Sequence, residues 1–150
     1  MADLVSFTFN DEDIQQALDD FADTIKQKLV RSGGNAGSEV LQDEAKVRAP
    51  YYTGTVRKTK SGRNNANPGQ LRNAIYRAYN ERESTPEKAV YTVSYNHYKA
   101  PHGWWMEHGN SRHPAKPYLR PAFEAKAKDV LEAARNRMAL RFEKLKAGDE

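Results

Sequence analysis

The chain has no cysteine, which excludes disulfides, thiolate metal sites and a cysteine nucleophile, and is compatible with a reducing compartment. No apolar run approaches the ~20 residues that span a bilayer, and Met1-Ala2-Asp3 begins no signal peptide. No serine sits in a nucleophile elbow, and no glycine-rich phosphate loop follows a strand, so neither enzymatic activity nor a cofactor is expected. Apolar residues make up only 38% of the 150, and mean hydropathy is −0.92. That is polar for a self-sufficient core and suits a flat or elongated single domain, residues 1–150, completed by its neighbours. Acids are absent between Glu44 and Glu81, where eight lysines and arginines fall. The formal net charge of +4 permits contact with nucleic acid without requiring it.

What is present is ordered helix, loop, hairpin, helix. Residues 4–9 alternate apolar and hydroxyl side chains, as a short strand or an arm on a neighbour does. Ile14, Leu18, Phe21, Ile25 and Leu29 recur at helical spacing behind an acidic first turn. Ser32-Gly33-Gly34-Asn35 predicts a break near Arg31, with a second helix over 38–49 ended by Pro50. Turn residues then dominate to Gly69, and 55–68 reads as a flexible basic loop. Strands at about 75–79 and 89–95 form an antiparallel hairpin. A helix from about 120 carries Phe123, Ala127, Val130, Ala134, Met138, Phe142 and Leu145 near one face. The expected fold is α+β: an antiparallel sheet of three or four strands packed by N- and C-terminal helices, with Val93, Phe123 and Val130 buried together.

Chemistry-bearing residues concentrate in 103–123, which holds two Trp, three Pro, two His, two Arg and a single acid. It reads as a short helical turn ended by Gly109, an exposed loop, and a proline-set helix entry. Adjacent side chains on a helix diverge by about 100°. One of Trp104 and Trp105 therefore packs inside, leaving the other to anchor an interface. Glu107 is the only acid between Glu87 and Glu124. A lone carboxylate lacks a catalytic partner, so pairing with Arg112 or Arg120 is expected. Pairing with Arg120 inside the subunit orients the 110–117 loop toward a neighbour. His108 and His113, five apart, fit no common zinc pattern and read as surface or interface histidines. In the basic loop, Arg57, Lys58, Lys60 and Arg63 are solvated, or reach an acidic partner surface, or touch phosphates without sequence preference.

Trp105, Glu107, Gly109, Ser111, Arg112 and Pro114, followed by Pro117-Tyr118-Leu119-Arg120-Pro121-Ala122-Phe123, resemble the signature of a tailed-phage family. Glu44-Ala45-Lys46, Ala49-Pro50, Thr53-Gly54 and Gly69 to Ile75 extend the likeness over roughly 38–135. The family comprises minor tail components of siphophages: head–tail joining, neck, tail-terminator and tail-completion proteins. The resemblance implies a structural virion protein that forms a homo-oligomeric ring, with sixfold symmetry the natural expectation, joining the capsid connector to the tail. Its partners are the neighbouring head-connector and tail-tube proteins, with the basic loop able to meet genomic DNA in the channel and no membrane involved. Its location is the virion neck or tail, and the host cytoplasm during assembly. The assembly residues so implied are Trp104, Trp105, Glu107, Arg112, Tyr118 and Arg120. The alternative is a small basic nucleic-acid-binding protein without enzymatic activity, favoured by a pI near 9.2.

Overall fold

The computed structural model describes residues 11–55, 57–58 and 64–147. Two long helices dominate it: α1, Asp11–Arg48, and α4, Leu119–Ala147. Between them come the short strands β1 (Arg57–Lys58) and β2 (Asn64–Ala66), helix α2 (Gln70–Ala74), strands β3 (Ile75–Tyr79) and β4 (Tyr91–Tyr95), and helix α3 (Gly103–His108). The class is α+β. The sheet, however, is smaller than expected: β1 pairs only with β2, and β3 only with β4, each pair antiparallel. Among the described residues neither ribbon grows to three strands. The alternating segment at 4–9 lies outside the described residues.

The expected break at 32–35 does not occur, and α1 runs straight through it. Each interior glycine costs a helix about 1 kcal/mol relative to alanine, so packing must supply the compensation. A Cβ on Gly33 would lie 2.6 Å from Met138 Cγ, and one on Gly37 3.1 Å from both Cγ1 and the carbonyl oxygen of Val130. A Cβ on Gly34 would meet the Tyr91 ring at 2.8 Å. The glycines are therefore the points where α4 and the hairpin come closest to α1. Gly33 meeting Met138 while Gly37 meets Val130 also fixes the two helices as antiparallel. Gly33, Gly37 and Ala45 form the inward stripe of α1, at multiples of four residues, and Ala49 continues it just past the helix end. The stripe predicts that Gly37→Leu destabilises despite the better helix propensity of leucine. Overpacking of this kind costs about 1–3 kcal/mol, and a fall of several degrees in the thermal midpoint, read by circular dichroism, is the expected result.

The same closeness explains which side of α4 is buried. The core consists of Ala45, Ala49, Leu71, Ala74, Ile75, Ala100, Tyr118 and Ala122, with Val93 and Tyr95 packed at its edge. Small residues fill the inner positions because the backbones leave no room for large ones. Phe123, expected there with Val93 and Val130, is instead 56% exposed, and its neighbour Ala122 takes the buried position. Phe142 is likewise on the surface. The rest of the expected face holds: Ala127, Val130, Ala134, Met138 and Leu145 are partly buried, and of that set Phe123 and Phe142 alone turn outward.

Three hydrogen bonds tie the hairpin to α1. Gln42 Nε2 donates to the Ile75 carbonyl at 3.1 Å, Arg77 Nη1 to that of Asn35 at 3.0 Å, and the Tyr91 hydroxyl to that of Arg31 at 3.0 Å. Arg72 then closes the C-terminus of α1, with Nε 3.1 Å from the Ala49 oxygen and Nη2 3.3 Å from the Val47 oxygen. Carbonyls at a helix C-terminus have no N–H donor within the helix and are left to a basic side chain.

Candidate assembly surface

Helix α3 is set on the body by the end of the hairpin. Asn96 Oδ1 accepts from the Tyr98 and Lys99 amides, and the Asn96 carbonyl accepts from Ala100, turning the chain out of β4. Gly103 opens α3 against the Tyr95 ring, where any Cβ would lie 2.6 Å from a ring carbon. One turn later the Glu107 carboxylate reaches α4. Its Oε2 accepts from the backbone N–H of Tyr118 (2.7 Å) and Leu119 (3.0 Å), and its Oε1 from that of Arg120 (3.2 Å).

This geometry completes the accounting at the start of α4. The first amides of a helix have no partner within it. Here Tyr118, Leu119 and Arg120 give theirs to Glu107, Pro121 has none, and Ala122 donates to the Tyr118 carbonyl at 3.3 Å. The helix dipole adds attraction for the carboxylate. Partial burial raises the carboxyl's pKa, but the three backbone bonds, helped by nearby His108, outweigh it, and the net shift is downward. Glu107 therefore acts within the subunit on Arg120, as its position suggested, but through the main chain and not the guanidinium. Among the described residues neither Arg112 nor Arg120 forms an ion pair, and both are exposed.

The loop that follows is braced at both ends. Gly109 has φ of +76° and ψ of 176°, a region glycine alone occupies readily. Asn110 Oδ1 accepts from the amides of Arg112 (2.9 Å) and His113 (2.7 Å), making a tight polar turn. The Lys116 amide then returns to the Met106 carbonyl at 2.7 Å. No family model, curated protein or solved structure matches the chain.

Around this braced turn lies the largest concentration of exposed aromatic surface near the motif. Trp104 is 55% and Trp105 53% exposed. Neither is taken into the core, contrary to the expectation for one of them, since the small-residue core behind α3 has no space for an indole. Trp104 instead stacks on His108, with centroids 3.7 Å apart and planes at 22°. Tyr118 departs from expectation in the other direction: it is wholly buried and contributes no surface. Because Phe123 is exposed, Phe123→Ala is expected to melt close to wild type, within the ±0.5 kcal/mol usual for surface changes. A loss of several kcal/mol in the same thermal assay would place that ring in the core.

The basic loop gives little to the site's geometry. The backbone of β1 carries Arg57 and Lys58, whereas Lys60 and Arg63 lie outside the described residues. Among the described residues, no three metal-binding side chains converge and no helix is long and apolar enough to cross a membrane. A second cationic feature escaped sequence reading. Lys28 and Arg31 of α1, Arg77 of β3, and Arg137 and Arg141 of α4 line one cleft of about 570 Å³. They are scattered over more than a hundred positions, and only the i, i+4 spacing of Arg137 and Arg141 hinted at a shared face.

Proposed function

We propose that this protein is a structural subunit of a ring at the head–tail junction of a tailed phage, a neck or tail-completion component without enzymatic activity. The observation that carries the reading is the clamp of Glu107 on the first amides of α4. It binds the two halves of the phage-like signature, the aromatic turn and the Pro-aromatic-Leu-Arg-Pro-Ala-Phe entry, into one rigid device. Trp104, Trp105, Arg112, Arg120 and Phe123, all on this device, are each exposed. Half-exposed tryptophans on the same motif as two exposed arginines have the composition of an interface centre.

The ring closes by a head-to-tail contact, with sixfold symmetry and the capsid connector and tail tube above and below it. The protein's role is then to join preassembled parts, and its place is the virion. Electron microscopy of the purified chain tests this directly: closed rings with a central channel are expected. Particles that remain monomeric, together with normal head–tail joining in phage carrying Trp104→Ala and Trp105→Ala, defeat the reading. The rival reading, a nucleic-acid-binding protein, has the cationic cleft in its favour, and duplex DNA binding across a salt series separates the two.

A further inference from the structure

Charge is divided unevenly along this chain. The first 25 residues contain seven acids and no lysine or arginine, whereas the remaining 125 contain 24 cations and 13 acids. The acidic part includes the N-terminal third of α1, where Glu12, Asp19, Asp20 and Asp23 are exposed. Leu18 and Phe21, on the same stretch, are 61% and 65% exposed. Residues 15–24 are exposed without interruption, which leaves the apolar stripe of an amphipathic helix uncovered among the described residues.

The complementary surface is the cleft between α1, α4 and the hairpin. Of its five cations, only Arg77 meets an acid among the described residues, with Nη1 3.4 Å from Glu39 Oε2. Arg31 lies over the Tyr79 ring, 4.5 Å from its centroid, which holds the guanidinium at the cleft wall. The rings of Tyr79 and Tyr91 also line the cleft and give it an apolar contact. We propose that the acidic third of α1 docks in the cationic cleft of a second copy of this chain.

The arm cannot serve its own cleft. Lys28 and Arg31 sit on the same unbroken helix, which carries residues 11–24 away along its axis. A contact of arm to cleft either closes reciprocally in a dimer or runs head-to-tail from copy to copy, and a ring needs the second arrangement. An acidic segment of this chain fits better than nucleic acid because it matches the cleft's charge and also supplies apolar residues for its tyrosine rings. The proposal deepens the ring reading, on which it rests for the need of such a contact.

Sedimentation velocity of the full chain tests it. Wild type is expected to self-associate, more weakly as salt rises. Reversing the arm (Asp19→Lys, Asp20→Lys, Asp23→Lys) or the cleft (Arg137→Glu, Arg141→Glu) is expected to weaken association by about 100-fold or more. Every substituted side chain is at least partly solvated, and circular dichroism checks that each variant folds. Leu18→Ala with Phe21→Ala, which leaves charge untouched, is expected to weaken association too. Mixing the two charge-reversed proteins is expected to restore it, since each then offers what the other's partner surface lacks. A monomeric wild type, or association indifferent to both reversals, overturns the proposal. So does a cleft-reversed protein that associates normally but no longer binds a short DNA duplex. Arm-dependent association into open chains that never close leaves this contact standing and removes the ring.

Discussion

Tyr118→Ala is expected to cost about 3–5 kcal/mol, the usual loss for emptying a buried aromatic site, while Tyr118→Phe is expected to gain stability. The ring is fully buried in a core otherwise made mostly of alanines, which cannot collapse far enough to fill its volume. Its hydroxyl is also buried and has no hydrogen-bond partner among the described residues. Burial, and then the charge of the Glu107 carboxylate, push the phenol's pKa far upward, so it stays neutral. An unsatisfied buried polar atom costs about 1–3 kcal/mol, and removing the oxygen recovers part of that. At roughly 2–4 °C per kcal/mol for a chain of this size, Tyr118→Phe should melt a few degrees higher. A lower midpoint would show that the hydroxyl is bonded, through water or to residues beyond those described.

Glu107→Ala is expected to remove about 2–3 kcal/mol, the scale of a charge-assisted hydrogen bond together with a lost helix cap. Glu107→Gln keeps the shape, loses the charge, and is expected to cost less. The pH dependence gives the sharper test. Glu107's carboxyl titrates lower in the folded chain than in the unfolded one. Its stabilisation is therefore fully present above the ordinary glutamate value of about 4.3 and is lost as pH falls through the lower, folded value. Thermal midpoints of wild type and Glu107→Gln should differ most near neutrality and converge in acid below pH about 4. A gap that stays constant through this range means the carboxylate's charge is not what holds α4.

Much of the architecture was legible because it depends on local pattern. Alternation in Tyr91, Val93 and Tyr95 marked β4, and turn chemistry marked the junctions at Gly69 and Gly109. Glu107 stood out as the lone acid in its region, but the expected ion pair with Arg112 or Arg120 does not form, and its carboxylate binds backbone amides of 118–120 instead. Backbone amides carry no sequence signature, so the partner's identity was out of reach. The continuity of α1 was hidden for a related reason. Ser-Gly-Gly-Asn has the propensity of a break, and only Met138, Val130 and Tyr91, distant in sequence, reveal why small residues are wanted there. Once the helices approach that closely, Phe123 is displaced outward by the same geometry, a consequence that hydrophobicity cannot foresee.

The bracing of the 109–117 segment also separates two kinds of change. Its ends are fixed by Glu107 on α4 and by the Lys116 amide on the Met106 carbonyl, and its interior touches solvent. Residues can be exchanged or inserted at its tip without loosening the helix that follows, since doubling a loop's length costs only about 0.6 kcal/mol in closure entropy. The tip can thus change while the scaffold stays intact, which makes it the natural place to graft a foreign recognition sequence.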